Sequence, residues 1–68
     1  MYSKKLDENE LIFKAKSKRT IIFNYESYIN YEYKKDKKEF KKFSSLELIE
    51  NEEIILSGNG KILICEIN

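Results

Sequence analysis

The side chains that usually carry catalysis are scarce in this sequence. It has no histidine, the residue most often used as a general acid or base near neutral pH. Its single cysteine, Cys65, lies among apolar residues and is predicted to be a buried structural thiol. Ser44 and Ser45 have no neighbouring base that could activate a hydroxyl group. The sequence therefore predicts no catalytic residue, and we expect the protein not to be an enzyme.

Two runs resemble fragments of ligand sites. Residues 58–61 (Gly-Asn-Gly-Lys) combine glycines and a lysine as phosphate-binding loops do, but the complete motif needs another glycine spacing and a helix after the lysine. An acidic run could attract a hard cation, although its spacing is not that of a calcium loop. The acidic run comprises Glu47, Glu50, Glu52 and Glu53. One cysteine and no histidine also exclude the common zinc patterns. The sequence predicts no metal and no cofactor.

Basic and acidic residues are segregated along the chain, although the formal net charge is only +1. Residues 14–42 contain ten basic and four acidic residues, whereas residues 43–68 contain five acidic residues and one lysine. A division of this kind steers the approach of a charged partner but does not determine the fold.

Apolar and polar residues alternate through three segments, 10–16, 20–25 and 28–33. Alternation with β-branched and aromatic residues predicts strands. The turns between them are predicted at Lys18-Arg19 and Glu26-Ser27. One face of each strand carries a more apolar set, namely Leu11, Phe13 and Ala15, then Ile21, Phe23 and Tyr25, then Ile29, Tyr31 and Tyr33.

The middle of the chain supports two interpretations. Residues 34–42 are highly charged and are predicted to form a hairpin tip followed by a short strand, or alternatively part of a helix. The spacing from Ser44 to Glu47 fits a capping box and predicts a helical turn over residues 45–51.

The C-terminal segment predicts a β-hairpin. Residues 52–57 and 61–67 flank Gly-Asn-Gly, and Asn-Gly suits a type I′ turn because both central positions need positive φ. This register places Leu56 opposite Leu63. It also places Ile55, Ile62 and Ile64 together on a second face. This face is predicted either to be covered by the rest of the domain or to form a homodimer interface, because monomers seldom expose large apolar patches.

The predicted fold is mainly β, a small barrel or curled antiparallel sheet of five or six short strands with one short helix near residues 45–51. The alternative is an α+β domain with a helix within residues 34–50. Residues 1–8 are predicted to be loose, and residues 9–68 to form one small domain. The apolar runs are too short to cross a membrane, so we expect no membrane partner and a cytoplasmic location in a bacterial host.

Lysines interleaved with aromatic residues suggest two kinds of partner. Such a face can stack on bases and follow a phosphate backbone, and tyrosines are also enriched in protein interfaces. The competing interpretation places Phe23, Tyr25, Tyr31 and Tyr33 in the core. The residues predicted to bind a partner are Tyr25, Tyr28, Tyr31, Lys34, Lys35, Lys37, Lys38, Glu47, Glu50 and Glu53.

The function that these features favour is binding to a protein or a nucleoprotein complex without catalysis. Small size, the missing catalytic residues and a composition rich in Lys, Ile, Asn and Glu suit a phage or mobile-element inhibitor. Such an inhibitor would resemble anti-CRISPR proteins in covering the surface of a nucleic-acid-handling host defence enzyme. The alternative is a small barrel that binds single-stranded RNA or DNA through the basic-aromatic face.

Overall fold

The computed structural model describes residues 1–25 and 27–68 and consists of seven strands. The strands are β1 (Tyr2–Asp7), β2 (Leu11–Lys14), β3 (Arg19–Asn24), β4 (Tyr28–Tyr33), β5 (Asp36–Phe40), β6 (Ser45–Ile49) and β7 (Glu53–Ile67). The described residues contain no helix, and hence none long and apolar enough to cross a membrane. The mainly β prediction is confirmed, as are the three strands predicted over residues 10–16, 20–25 and 28–33, which correspond to β2, β3 and β4.

All the strand pairs are antiparallel, and β7 is the centre of the sheet. The strand order is β5-β4-β7-β3-β6, and β1 and β2 pair with β7 as well. The N-terminal half of β7 pairs with β2 and β4, whereas its C-terminal half pairs with β1 and β3. One 15-residue strand therefore links the two halves of a curled sheet.

The pairing register steps by one residue where the sheet curls. Asp7 pairs with Asn59 and Leu11 pairs with Leu56, so three residues between β1 and β2 face two residues of β7. A second one-residue step separates β3 from β4 along the opposite side of β7. Steps of this kind bend a strand and increase its twist. The bend brings the inward-facing side chains of both halves into one core.

The core consists of aliphatic residues and one phenylalanine. The inward positions of β7 contribute Ile54, Leu56, Ile62 and Ile64, each at most 1% exposed. The other buried apolar residues are Leu6, Ala15, Ile22, Ile29, Phe40 and Leu48. Each large aliphatic side chain buried in this way contributes about 1.5–3 kcal/mol to folding.

The predicted C-terminal hairpin is wrong, because residues 58–60 lie inside the continuous strand β7. Gly58 and Gly60 have φ of +127° and +128°, a backbone conformation that residues with a Cβ rarely adopt. A Cβ at Gly58 would overlap the carbonyl oxygen of Tyr28, and a Cβ at Gly60 would overlap the hydroxyl of Ser27. The two glycines therefore allow β7 to pass close to Tyr28 and Ser27 at the bend. Leu56 accordingly pairs with Leu11 and Tyr31.

Asn24 and Ser27 hold the other side of this bend. The Asn24 side chain is completely buried and donates to the carbonyl oxygens of Ser27 (2.9 Å) and Phe40 (2.7 Å), while its Oδ1 accepts from the N–H of Ser27 (2.9 Å). The Ser27 hydroxyl donates to the carbonyl of Lys61 (3.0 Å) and accepts from its N–H (2.8 Å). The predicted Glu26-Ser27 turn involves Glu26, which lies outside the described residues.

Both helix predictions in the middle of the chain are wrong. Residues 45–49 form β6, which pairs with β3, and residues 36–40 form β5. The Ser44 hydroxyl donates to the carbonyl of Lys41 (2.5 Å) and does not cap a helix. Leu48 is buried and Leu46 is half-buried, whereas Ser45, Glu47 and Ile49 are exposed. Burial therefore alternates along β6 as expected of a strand. Lys34 and Lys35, with φ of 51° and 67°, form the predicted hairpin tip between β4 and β5.

Three further predictions are corrected. Residues 1–8, expected to be loose, contain β1, whose pairing with β7 buries Leu6. The three-isoleucine dimer face is not a surface, because Ile62 and Ile64 are completely buried within this chain. The turn expected at Lys18-Arg19 comes earlier, since Arg19 is the first residue of β3.

Candidate binding surface

The outward side of β3 carries the larger apolar side chains. Thr20, Ile22 and Asn24 point inward and are completely buried. Because side chains alternate along a strand, Ile21 and Phe23 point outward, where both are half-buried. The interpretation that places Phe23 in the core is therefore wrong.

The outward side of β7 continues this apolar surface. Ile21 lies opposite Cys65, and Phe23 lies opposite Leu63. Cross-strand neighbours shield these four side chains partially, and no other described strand covers them. We call this surface the outer apolar face. It comprises Ile21, Phe23, Tyr25, Phe43, Ile49, Leu63, Cys65 and Ile67.

Tyr25 and Phe43 form the most exposed end of the outer apolar face. Their rings meet edge to face, with centroids 6.2 Å apart, and their exposed fractions are 56% and 65%. Phe43 also has φ of +62°, a left-handed conformation that is unfavourable for a bulky residue. A phenylalanine that is this exposed, in an unfavourable backbone conformation, contributes little to the stability of the fold. Contact with another molecule would account for its side chain.

Lysines surround this end of the face. Lys5 pairs directly with Lys61, an arrangement of like charges that is mildly destabilising. Lys61 also borders, with Tyr25 and Leu63, a shallow hollow of about 260 Å³. Within residues 1–25 and 27–68, neither lysine takes part in an ion pair. The concentrated positive charge favours an acidic partner surface.

Tyr28 is exposed on the other half of the sheet, beside the bend. Its side chain is 78% exposed, and the Lys42 ammonium lies 4.4 Å from the ring centroid. The same ammonium donates to the Tyr28 hydroxyl (3.3 Å). A cation above an exposed ring is a weak but favourable contact. The ring remains largely open to a partner.

The other predicted aromatic and basic contacts lie elsewhere. Tyr31 points inward, is half-buried and meets Phe40 edge to face at 5.8 Å. The four lysines are all exposed at or beside the β4–β5 turn, and the set is Lys34, Lys35, Lys37 and Lys38. The structure thus brings Tyr25 together with Phe43 and does not group Tyr25, Tyr28 and Tyr31 on one surface.

The predicted acidic residues lie around the end of β6. Arg19 donates twice to Glu47 (2.8 and 3.1 Å), and these hydrogen bonds lower the pKa of the Glu47 carboxyl. Glu50 and Glu53 are exposed. In the part of the chain that the structure describes, no group of three or more Asp, Glu or Cys residues is placed to hold a metal ion.

Glu52 closes the turn between β6 and β7. It accepts hydrogen bonds from the Tyr33 hydroxyl and from the N–H of Ile49, the latter at 2.8 Å. The hydrogen bond from Tyr33, and to a smaller extent the one from Ile49, lowers the pKa of the Glu52 carboxyl below its ordinary value. Glu52 thereby ties the end of β6 to β4.

Phe43 and Ile49 are surface residues that the sequence interpretation missed. Ile49 fell in the predicted helical turn over residues 45–51, and Phe43 fell within the helix of the alternative interpretation, so the outward direction of a strand was not considered for either residue. No protein-family model, curated protein or solved structure matches the chain. The functional argument therefore depends on the geometry of the surface alone.

Proposed function

We propose that this protein is a non-enzymatic protein-binding module that contacts its partner through the outer apolar face. The observation that carries the proposal is the Tyr25–Phe43 pair, exposed at the end of an uncovered apolar sheet surface. Aromatic anchors beside a desolvated apolar centre are typical of the residues that dominate binding energy in protein interfaces.

The distribution of charge supports a protein partner. Ile21, Phe23 and Leu63 occupy the middle of the face. The lysines lie at one end, and the Arg19–Glu47 ion pair lies at the other, between Ile21 and Ile49. A surface that follows a nucleic-acid backbone needs cations along its length. An apolar centre with a charged rim suits a protein that has its own apolar patch next to acidic side chains.

Within this function, we expect a phage or mobile-element inhibitor that acts in the cytoplasm of a bacterial host. Its target would be a nucleic-acid-handling defence enzyme or its nucleoprotein complex. Small size, one compact core and a Lys-, Ile- and Asn-rich composition support this part of the proposal. An inhibitor of this type needs only a surface that covers part of its target.

Affinity capture with matched variants tests the proposal. Tagged wild-type protein, Phe43→Asn and Ile12→Asn are used with one bacterial lysate, and recovered proteins are quantified by mass spectrometry. Ile12 is the control because it is 64% exposed, close to the 65% of Phe43, but lies on the other half of the sheet opposite Ile55. We expect Phe43→Asn to lose a specific partner by at least about tenfold, since interface anchors contribute about 2 kcal/mol or more. Ile12→Asn should retain it.

The same variants separate binding from folding. Asparagine tolerates the left-handed conformation better than phenylalanine, so Phe43→Asn should keep the thermal stability of the wild type or exceed it. A partner that both variants retain equally, or a loss explained by unfolding of Phe43→Asn, would contradict the role of the outer apolar face.

Binding to single-stranded nucleic acid is the second candidate. It is favoured by the exposed Tyr28 ring beneath the Lys42 ammonium. Titration of a labelled oligonucleotide at two salt concentrations tests it. Affinity that falls steeply with salt and falls again in Tyr28→Ala would support this candidate, because counterion release and base stacking would both be involved. No binding at the lower salt concentration would exclude it.

A further inference from the structure

The strand β6 presents an edge that is poorly protected against pairing with another chain. Natural edge strands are usually protected by charged residues, as β5 is by its sequence Asp-Lys-Lys-Glu-Phe. In β6, of sequence Ser-Leu-Glu-Leu-Ile, the only charged side chain is that of Glu47. Arg19 holds this side chain in two hydrogen bonds on the outward side of the sheet.

The free hydrogen-bonding groups of this edge follow from the register. Asn24 donates to the carbonyl of Ser44 (3.0 Å), and antiparallel pairs alternate. The ladder bonds to β3 therefore involve Leu46 and Leu48, and the backbone groups of Ser45 and Glu47 point away from the sheet.

The end of the edge confirms this direction. The N–H of Ile49, which has the same parity as Ser45 and Glu47, donates to the Glu52 carboxylate (2.8 Å), and the carbonyl of Ile49 accepts from the N–H of Glu52 (3.1 Å). Glu52 therefore occupies the backbone groups of Ile49. The stretch of β6 that is free to pair with another strand covers residues 45–48.

A small groove lies on the inner side of the same strand. Its lining includes Leu46 and Leu48 of β6, Tyr31 and Tyr33 of β4, and Ile54 of β7, and its volume is about 200 Å³. Typical small-molecule pockets have volumes of about 300–1,000 Å³, so this groove is better suited to a side chain. An extended peptide paired with β6 would direct alternate side chains into it.

We propose that the β6 edge and this groove bind an extended, basic segment of a partner protein. The groove supplies the apolar subsite. In the acidic run that follows, the exposed Glu50 and Glu53 favour lysine or arginine at the positions that point away from the groove, whereas Glu47 and Glu52 are already bonded to Arg19 and Tyr33. The site is separate from the Tyr25–Phe43 end of the outer apolar face, and it extends the proposed function to a second contact.

Titration of the ¹⁵N-labelled protein with the heptapeptide Lys-Val-Lys-Leu-Lys-Val-Lys tests the proposal by NMR. We expect amide shifts at Ser45 and Glu47, and shifts at Tyr31 and Tyr33 from the groove. The peptide with glutamate in place of lysine should bind at least about tenfold more weakly, because its charges oppose those of the site.

N-methylation provides a matched control for backbone pairing. Two further peptides carry N-methyl groups on alternate amides, one set at odd and one at even positions. Only one set can face β6, so one peptide should lose at least about tenfold in affinity and the other should bind like the unmodified peptide. Equal binding by both peptides, shifts centred on Ile21 and Phe23, or no shift at millimolar peptide would overturn the proposal.

The outcome is independent of the outer apolar face. Phe43→Asn should bind the heptapeptide as the wild type does. Failure of peptide binding with normal capture of a partner would contradict only the β6 site. Normal peptide binding with no effect of Phe43→Asn on capture would contradict only the outer apolar face.

Discussion

Thr20 places a hydroxyl group in the core without a hydrogen-bond partner among the described residues. The residue is completely buried, and its neighbours across the sheet are Leu48 and Glu66. A buried polar group without a partner costs about 1–3 kcal/mol, because its hydration is lost without replacement. Asn24 on the same strand shows the opposite case, with both ends of its amide bonded to backbone groups.

Thr20→Val should therefore stabilise the protein. The substitution keeps the shape and removes the hydroxyl, so the free energy of unfolding should rise by about 1 kcal/mol in urea titration. Thr20→Ser is the control, since it keeps the hydroxyl and removes the methyl group, and it should lower stability. An unchanged or lower value for Thr20→Val would show that the hydroxyl has a partner.

Single residues also explain why the faces of the strands were only partly predictable. In β4 the expected face, Ile29 with Tyr31, does point inward. In β3 the face is reversed, because Asn24 is needed at the bend. An apolar face of a strand can pack against the core or lie on the opposite side of the sheet. The sequence of one strand alone does not distinguish these two cases. Tyr25 was among the residues predicted to bind a partner, but its pairing with Phe43 was missed because the structure of the middle of the chain was not predicted.

At the level of elements, local preference and tertiary structure disagree most at residues 58–60. The positive φ that makes Asn-Gly a turn signal is used here, at Gly58 and Gly60, to let β7 pass close to Tyr28 and Ser27 at the start of β4. The capping-box spacing at residues 44–47 fails similarly, since pairing with β3 gives β6 more than an isolated helical turn could. The mainly β class was predictable from alternation, whereas the structure has seven strands in place of the predicted five or six strands and short helix. The connections of the strands at the bend were not predictable.

Gly60→Ala tests this interpretation of β7. An added Cβ would overlap the Ser27 hydroxyl and would also require an unfavourable φ of +128°. We expect the free energy of unfolding to fall by about 3 kcal/mol or more in urea titration, which could unfold a domain of this size. The neighbouring variant Asn59→Ala, at an exposed position, should stay within about 0.5 kcal/mol of the wild type. Similar effects of the two changes would show that Gly60 is not in close contact with Ser27.

The described residues form a sheet with two apolar sides and cover the inner one more completely. Curling at the bend encloses the inner side in a core of ten residues, while Ile21, Phe23 and Leu63 stay on the outer side. Domains this small have a low free energy of unfolding, because they bury a small fraction of their surface. Covering the outer apolar face with a partner would add stability through binding to the folded state alone. Under the proposed function, folding and partner binding would both depend on the apolar residues of this sheet.

The stability of the whole molecule should fall in acid, because its folded state lowers the pKa of two carboxyl groups. The hydrogen bonds from Arg19 lower the pKa of Glu47, and those from Tyr33 and Ile49 lower the pKa of Glu52. A carboxyl whose pKa is lower in the folded state stabilises it above the unfolded pKa, near 4.5, and loses that contribution as the pH falls through the folded value. Stability should therefore be level at neutral pH and decrease below about pH 4.5.

Urea titrations between pH 7 and pH 3 measure this dependence. Glu47→Gln and Glu52→Gln should each flatten the acid side of the profile, because each removes one group that binds protons more weakly when folded. Glu50→Gln is the control, since the Glu50 side chain is exposed and takes part in no ion pair among the described residues. Added salt should weaken the contribution of Glu47 more than that of Glu52, because an exposed ion pair is screened and a bond from a neutral phenol is screened less. A profile that keeps the same slope in both variants would mean that the turn closed by Glu52 and the Arg19–Glu47 pair contribute nothing to the folded state.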